Sequence, residues 1–218
     1  MHRLSTTCAL AVAASLTLLA TAPARADGDW KPLTPTNVSE LDQVLHAAIA
    51  GDVDHLLKMI DAKRAEGGDE AVKALVNTVA PNGGETPLHL AAVNGHALRL
   101  LLEHGADPNV RESGAAKQAF TALHWVVQTG EEHAVELLLS KGADPNVIVY
   151  ESLQGDGLMT ALDFADHFDK SQGSAVGKNP YARIAALLRS RGAKTYQQLF
   201  ADGATEGKLP PPRPRDEL

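Results

Sequence analysis

The side chains from which metal or nucleophilic chemistry would have to be built are nine histidines and a single cysteine in a chain of 218 residues. A metalloprotease helix needs two histidines at i, i+4 with an acid between them. His46, His55, His96, His104, His133 and His167 show no such pair with a neighbouring acid, and His2 falls within the first 26 residues, which read as a cleaved segment. The nearest approach, Glu132-His133 with Glu136, reads as the charged surface of a helix. Cys8 sits beside the apolar run Leu10 to Ala22, so the chain beyond residue 26 has no thiolate for catalysis, zinc or disulfide formation. No Gly-x-Ser-x-Gly elbow, Walker loop or Gly-x-Gly-x-x-Gly fingerprint occurs. Gly155-Asp156-Gly157 reads as a turn, since no strand is expected before it and no basic residue comes closely after it. The chain is expected to be no enzyme, with no catalytic residues, no metal and no cofactor.

What remains is binding, and composition narrows the partner. A net charge of −7 leaves no basic surplus with which to neutralise a phosphate backbone, so nucleic acid and anionic membranes are disfavoured. Aromatic residues make up only 4% while Ala, Leu and Gly abound, a bias that suits closely packed helices. Residues 1–26 read as a secretory signal peptide: Met1-His2-Arg3 is a positive n-region, the apolar run comes next, and Ala24-Arg25-Ala26 is a small-x-small cleavage site. The run is too short to span a bilayer, so no membrane span is expected after cleavage. Removing Arg3 and Arg25 but no acid would bring the charge to −9.

Further along, Gly105-Ala106-Asp107-Pro108-Asn109-Val110 returns unchanged as Gly142 to Val147, 37 residues later. Each copy comes after a second shared phrase, Thr86-Pro87-Leu88-His89-Leu90-Ala91-Ala92 and Thr121-Ala122-Leu123-His124-Trp125. Thr86 can cap a helix and Pro87 suits its first position, where a missing N–H has no cost. Leu88, Ala91 and Ala92 then share a face. Gly95 is expected to close this first helix in the left-handed conformation, and Gly105 the second, Leu98 to Leu102, before Asp-Pro-Asn turns the chain.

These phrases resemble the ankyrin repeat, a turn plus two antiparallel helices with the phrase T-P-L-H-x-A. Two units match strongly. A divergent one opens at Thr160-Ala161-Leu162-Asp163 and another is visible in Leu45 to Ile60, so the resemblance implies an all-α solenoid of about four repeats over residues 40–194. Residues 27–39 form a lead-in, and 195–218 a capping helix succeeded by a Pro-rich tail. Pro210 to Pro214 suits polyproline II, either as a PxxP ligand or as a solvated tail. Extra chain falls in the second helix of the first unit at Lys63 to Lys73, in the turns Arg111 to Phe120 and Ile148 to Met159, and in an insertion at Asp169 to Tyr181.

The resemblance implies that His89 and His124 hydrogen-bond their capping threonines and tie adjacent repeats. It also implies a function in protein binding through the turn tips and the inner helices. Candidate contacts are Arg111, Glu112, Lys117 and Gln118 in the first long turn, Tyr150, Glu151 and Gln154 in the second, and Trp125 and Asn94 on inner helices. Leu153 is a further candidate; Phe120, Leu158 and Met159 either contact a partner or pack the turns. The expected partner is another exported protein, with the free chain a monomer. The role is that of accessory or protective factor, or alternatively of a stoichiometric inhibitor or immunity protein occluding a toxin or hydrolase. The compartment is periplasmic or secreted, or the ER lumen if Arg215-Asp216-Glu217-Leu218 acts as a retention signal.

Overall fold

A computed structural model describes residues 40–81, 83–112, 119–151, 157–171 and 179–203. The expected signal peptide, the lead-in, the Pro-rich tail, and Lys117, Gln118, Leu153 and Gln154 lie outside the described residues.

The described residues form nine α-helices and one two-stranded ribbon. Eight helices come in pairs: α1 (Glu40–Ala50) with α2 (Val53–Val76), α3 (Pro87–Leu90) with α4 (Gly95–Glu103), α5 (Ala122–Thr129) with α6 (Glu132–Ser140), and α7 (Ala161–Ser171) with α8 (Pro180–Ser190). A 3-10 turn, Ala91–Val93, prolongs α3, and α9 (Tyr196–Ala201) comes after the last pair. The first members α1, α3, α5 and α7 stack as an inner layer, and α2, α4, α6 and α8 as an outer one. The all-α solenoid expected from the sequence is thus what forms. Helices this short are marginal in water by themselves, so burial between neighbours must hold them. Leu98 and Leu101 of α4, Leu123 of α5, Leu138 of α6 and Ile184 of α8 are completely buried for that purpose.

The first five residues of the repeated phrase each have a visible task. Gly105 and Gly142 take φ of +90° and +87°, which ends the outer helix. The next N–H, of Ala106 or Ala143, donates to the carbonyl five residues back at 3.0 Å. Asp107 and Asp144 accept from the N–H two residues on at 2.9 Å, fixing the turn around the proline. The asparagine then crosses to the next repeat. Asn109 accepts from the Asp144 N–H at 2.8 Å and donates to the Gly142 carbonyl at 3.0 Å. Asn77 does the same to Asp107 and Gly105, and Asn146 to Lys194 and Gly192. Three asparagines therefore form a ladder along the row of turns.

The structure departs from expectation at several points. Gly95 is no left-handed stop; it opens α4, and Asn94 caps that helix by accepting from the N–H groups of His96 and Ala97. Gly130, at φ +75°, does close α5 as expected of that position. The extra residues of the first unit lengthen α2, which breaks at Gly67-Gly68, where Gly68 has φ +70°. The second long turn is a ribbon: β1 (Val149–Glu151) pairs antiparallel with β2 (Gly157–Met159), with Tyr150 opposite Leu158. The strand β1 precedes Gly155, where none was expected, while Gly155 and Asp156 themselves lie outside the described residues. Val149-Tyr150 and Leu158-Met159 carry the β-branched, aromatic and apolar side chains that suit a half-buried ribbon once a repeat offers one face to cover it.

Candidate functional site

The two long turns meet side by side. At the base of the first, the Glu112 N–H donates to the Phe120 carbonyl at 2.9 Å, so the chain leaves and re-enters as a closed loop. Arg111 reaches across to the second and donates from Nη2 to the Ile148 carbonyl at 2.7 Å. Between them lies a cleft of about 360 Å³ lined by Arg111, Asp144, Ile148, Val149, Tyr150 and Leu158, together with Asn146 of the ladder. Tyr150 projects with 48% of its surface exposed, one of three large apolar side chains so placed among the described residues.

Beneath the first turn the surroundings change from polar to dry. Burial, with the like charge of Glu85 adding to it, pushes the Glu112 carboxyl up to about 7, against the opposing pull of the Phe120 N–H and the Trp125 indole. The indole Nε1 of Trp125 is itself buried and makes no hydrogen bond of proper geometry. Its ring meets the His89 imidazole edge-on at 6.4 Å. Glu112 is consequently half-buried beside α5, whereas the sequence placed it at a solvated tip.

Both motif histidines bind their threonines, but only one of them also reaches the next repeat. Thr86 donates its N–H and its hydroxyl to His89 Nδ1 at 3.1 and 2.9 Å, which leaves Nε2 to carry the proton and donate to the Phe120 carbonyl at 3.0 Å. Thr121 binds His124 Nδ1 in the same way. Yet His124 Nε2 is buried and makes no hydrogen bond of proper geometry; the carbonyl that faces it is that of Val147, in the turn that follows, and no counterpart of the Phe120 contact forms. The residue that corresponds to Phe120 is Met159, and it is committed to β2 opposite Val149. In the fourth unit Asp163 stands where the histidine would be. Its Oδ2 accepts from the Thr160 N–H and hydroxyl, and across the joint from the Tyr196 N–H at 2.7 Å, which docks α9.

The remaining candidates divide by location. Asn94 sits past the inner helix, as the cap of α4, packed over Gly51. Trp125 lies on the inner helix α5 and is half-buried. Glu151 is in β1. Phe120 is buried against His124 and Phe164, so of its two readings the packing one holds; Leu158 and Met159 are half-buried in β2. Lys117, Gln118 and Gln154 are among the residues not described. The surface acids Glu132 and Glu136 pair with Arg183 of α8 and with Arg191, the residue that caps its C-terminus, in keeping with a charged helix face. The sequence reading missed the asparagine ladder, although the identical Asn109 and Asn146 were its signal. It also missed Asn77, which belongs to no copy of the phrase.

Among the described residues no group of three or more His, Cys, Asp or Glu side chains is arranged to hold a metal, and no helix is long and apolar enough to cross a membrane. Residues 47–149 match the family model described as ankyrin repeats (3 copies). The chain is similar to the tRNA endonuclease ANKZF1 of Mus musculus, 43% identical over 76 residues, 34% of this chain and 10% of that protein. Its likeness to the Bos taurus protein of the same name is 45% over 80 residues, 35% and 11%. The matched stretch spans about a tenth of the length of these relatives. Residues 47–149 are therefore ankyrin repeats, and the two-layered helical stack to which they belong is an ankyrin-repeat solenoid.

Proposed function

We propose that this chain is a non-catalytic binding module that engages an exported protein through its two long turns, as an accessory or protective factor. Ankyrin repeats are generally protein-protein interaction modules, and such a repeat domain is typically non-catalytic. What the chain shares with ANKZF1 is, on this reading, the repeat scaffold and not an endonuclease activity. The observation that carries the proposal is Tyr150, exposed beside a cleft whose walls come from two separate turns. An aromatic side chain held on a ribbon loses little conformational entropy on contact, and such anchors dominate interface energetics. Arg111 and Glu151 flank it as polar contacts. Trp125 and Glu112 form a second, drier surface on the inner side.

The test begins with affinity capture by the chain starting at Asp27, from the compartment to which it is exported. The captured partner is then titrated against wild type and Tyr150→Ala. Binding should weaken by at least about 2 kcal/mol while the unfolding midpoint stays put, because the lost side chain is exposed. Unchanged affinity would move the interface to the inner helices around Trp125 and Gln128. A partner inactivated by stoichiometric binding, rather than protected, would favour the inhibitor reading. An intact mass that retained residues 1–26 would refute export by cleavage.

A further inference from the structure

We propose that Leu209-Pro210-Pro211-Pro212-Arg213-Pro214 of this same chain docks in the cleft beside Tyr150, covering the candidate binding surface until a partner displaces it. The inference rests on reading the long turns as that surface. The chain leaves the fold close to the cleft. Asn146 lines the cleft, and its side chain accepts from the Lys194 N–H at 2.8 Å. The Lys194 ammonium holds the Asp202 carboxylate at 2.7 Å, and Gly203 is the next residue. Tyr196, at the start of α9, lies within electrostatic reach of Tyr150. The segment after Gly203 therefore begins about one lysine side chain away from the wall of the cleft. Six residues, 204–209, separate it from Pro210, and extended chain at about 3.1 Å per residue covers about 19 Å, enough to cross the ribbon.

The chemistry of the two surfaces agrees. Consecutive prolines favour a pre-extended backbone that loses little entropy on binding, and such segments are received by apolar grooves with an exposed aromatic ring. Ile148, Val149, Tyr150 and Leu158 supply that surface. The cleft carries one acid, Asp144, and one base, Arg111, while the segment and its continuation carry Arg213 and Arg215, then Asp216 and Glu217. Each sign on one side has its opposite on the other.

The test uses a fluorescent peptide of residues 204–218, titrated by anisotropy into the intact chain and into a chain ending at Gly203. A tethered segment acts at an effective concentration of about 1 mM, so a peptide with a dissociation constant of about 100 μM should bind the shortened chain about tenfold more tightly. Tyr150→Ala and Leu158→Ala in the shortened chain, and Pro211→Ala with Pro212→Ala in the peptide, should each reduce binding. Tyr150 is exposed, so its variant keeps the test valid even if Leu158→Ala fails to fold. Equal affinity for both chains, no binding to either, or binding indifferent to both cleft substitutions would overturn the proposal. Sedimentation showing that the intact chain self-associates through residues 204–218 would overturn it in favour of a second copy. No partner protein takes part in these measurements, so their failure leaves the partner-binding reading intact. Conversely, a partner indifferent to Tyr150→Ala would leave the peptide result standing.

Discussion

The joint between the second and third repeats and the joint between the third and fourth are built from nearly the same phrase and held by different forces. At the first, the His89 imidazole links Thr86 to the Phe120 carbonyl, and Leu90 fills the space one residue further on. At the second, the His124 imidazole holds Thr121 and stops there. Phe164 stands where Trp125 stands at the first joint, but Trp125 is half-buried and meets His89 at 6.4 Å. Phe164 is fully buried, meets Phe120 at 5.5 Å and His124 at 5.7 Å, and leads to Phe168 and Tyr181. Tyr181 then donates from its hydroxyl to the Gln128 carbonyl at 2.9 Å. A lost polar link is thus offset by ring packing. A repeat motif specifies its own helix start reliably, but its reach into the next repeat depends on what that repeat places opposite.

The largest effect expected at either joint should appear in acid, because both bury an imidazole. Burial lowers the His89 imidazole to about 4 and that of His124 to about 3, both from an ordinary 6.5. Between pH 6.5 and 4.5 the unfolded chain takes up protons on these rings that the folded chain refuses, so stability is full above 6.5 and falls as pH drops. Each ring should cost about 2–3 kcal/mol over that span. Glu112, raised in the folded state, binds its proton earlier and works in the opposite direction. Asp163, also raised by burial, opposes the histidines in the same way. Urea unfolding at the two pH values in a Glu112→Gln, Asp163→Asn background therefore reads the histidines, and a flat profile would show that the joints are less dry than described.

Next come the packing groups. Phe164→Ala should destabilise by about 3–5 kcal/mol, and Trp125→Ala at the first joint by less than about 3, because Phe164 is fully buried in a ring cluster while Trp125 is half-buried against one imidazole. Equal losses in thermal melts would remove the distinction. Smaller still is the difference between His89→Leu and His124→Leu. The former strands the Phe120 carbonyl as well as the Thr86 donors, and the latter only the Thr121 donors, so the gap should be about 1 kcal/mol, one hydrogen bond. His124→Leu costing as much as its counterpart would mean that Nε2 has found an acceptor in solution. Least of all, Arg111→Ala should shift stability by no more than about 0.5 kcal/mol, since the side chain is exposed.

Much of the stack was legible in advance because its cues are local. Thr-x-Leu-His and Gly-Ala-Asp-Pro-Asn-Val act within their own few residues, through capping, a left-handed glycine and an Asx turn. The long turns were legible only as extra length. Nothing in Val149-Tyr150-Glu151 by itself announces a strand, because three residues gain a ladder only when Gly157 to Met159 return beside them. Glu112 and Phe120 illustrate the same limit. Glu112 read as a partner contact and Phe120 as either a contact or turn packing, yet the first is half-buried and the second lies in the core, since residues of α5 and α7 close over them.

The amino-acid sequence determined, then, where the inner helix of each matched unit starts, that paired helices alternate with tight turns, and that the threonines would be bound by the histidine three residues on. These outcomes depend on backbone hydrogen bonds spanning at most five residues, which neighbouring side-chain types decide directly. Tertiary structure alone decided that Asn77 joins the ladder, that Arg111 staples one long turn to the other, and that His124 lacks a second hydrogen bond of proper geometry. Each of these depends on distances between groups 30 or more residues apart or on burial by another repeat. Such distances are set by how the layers stack and how much chain each turn contains.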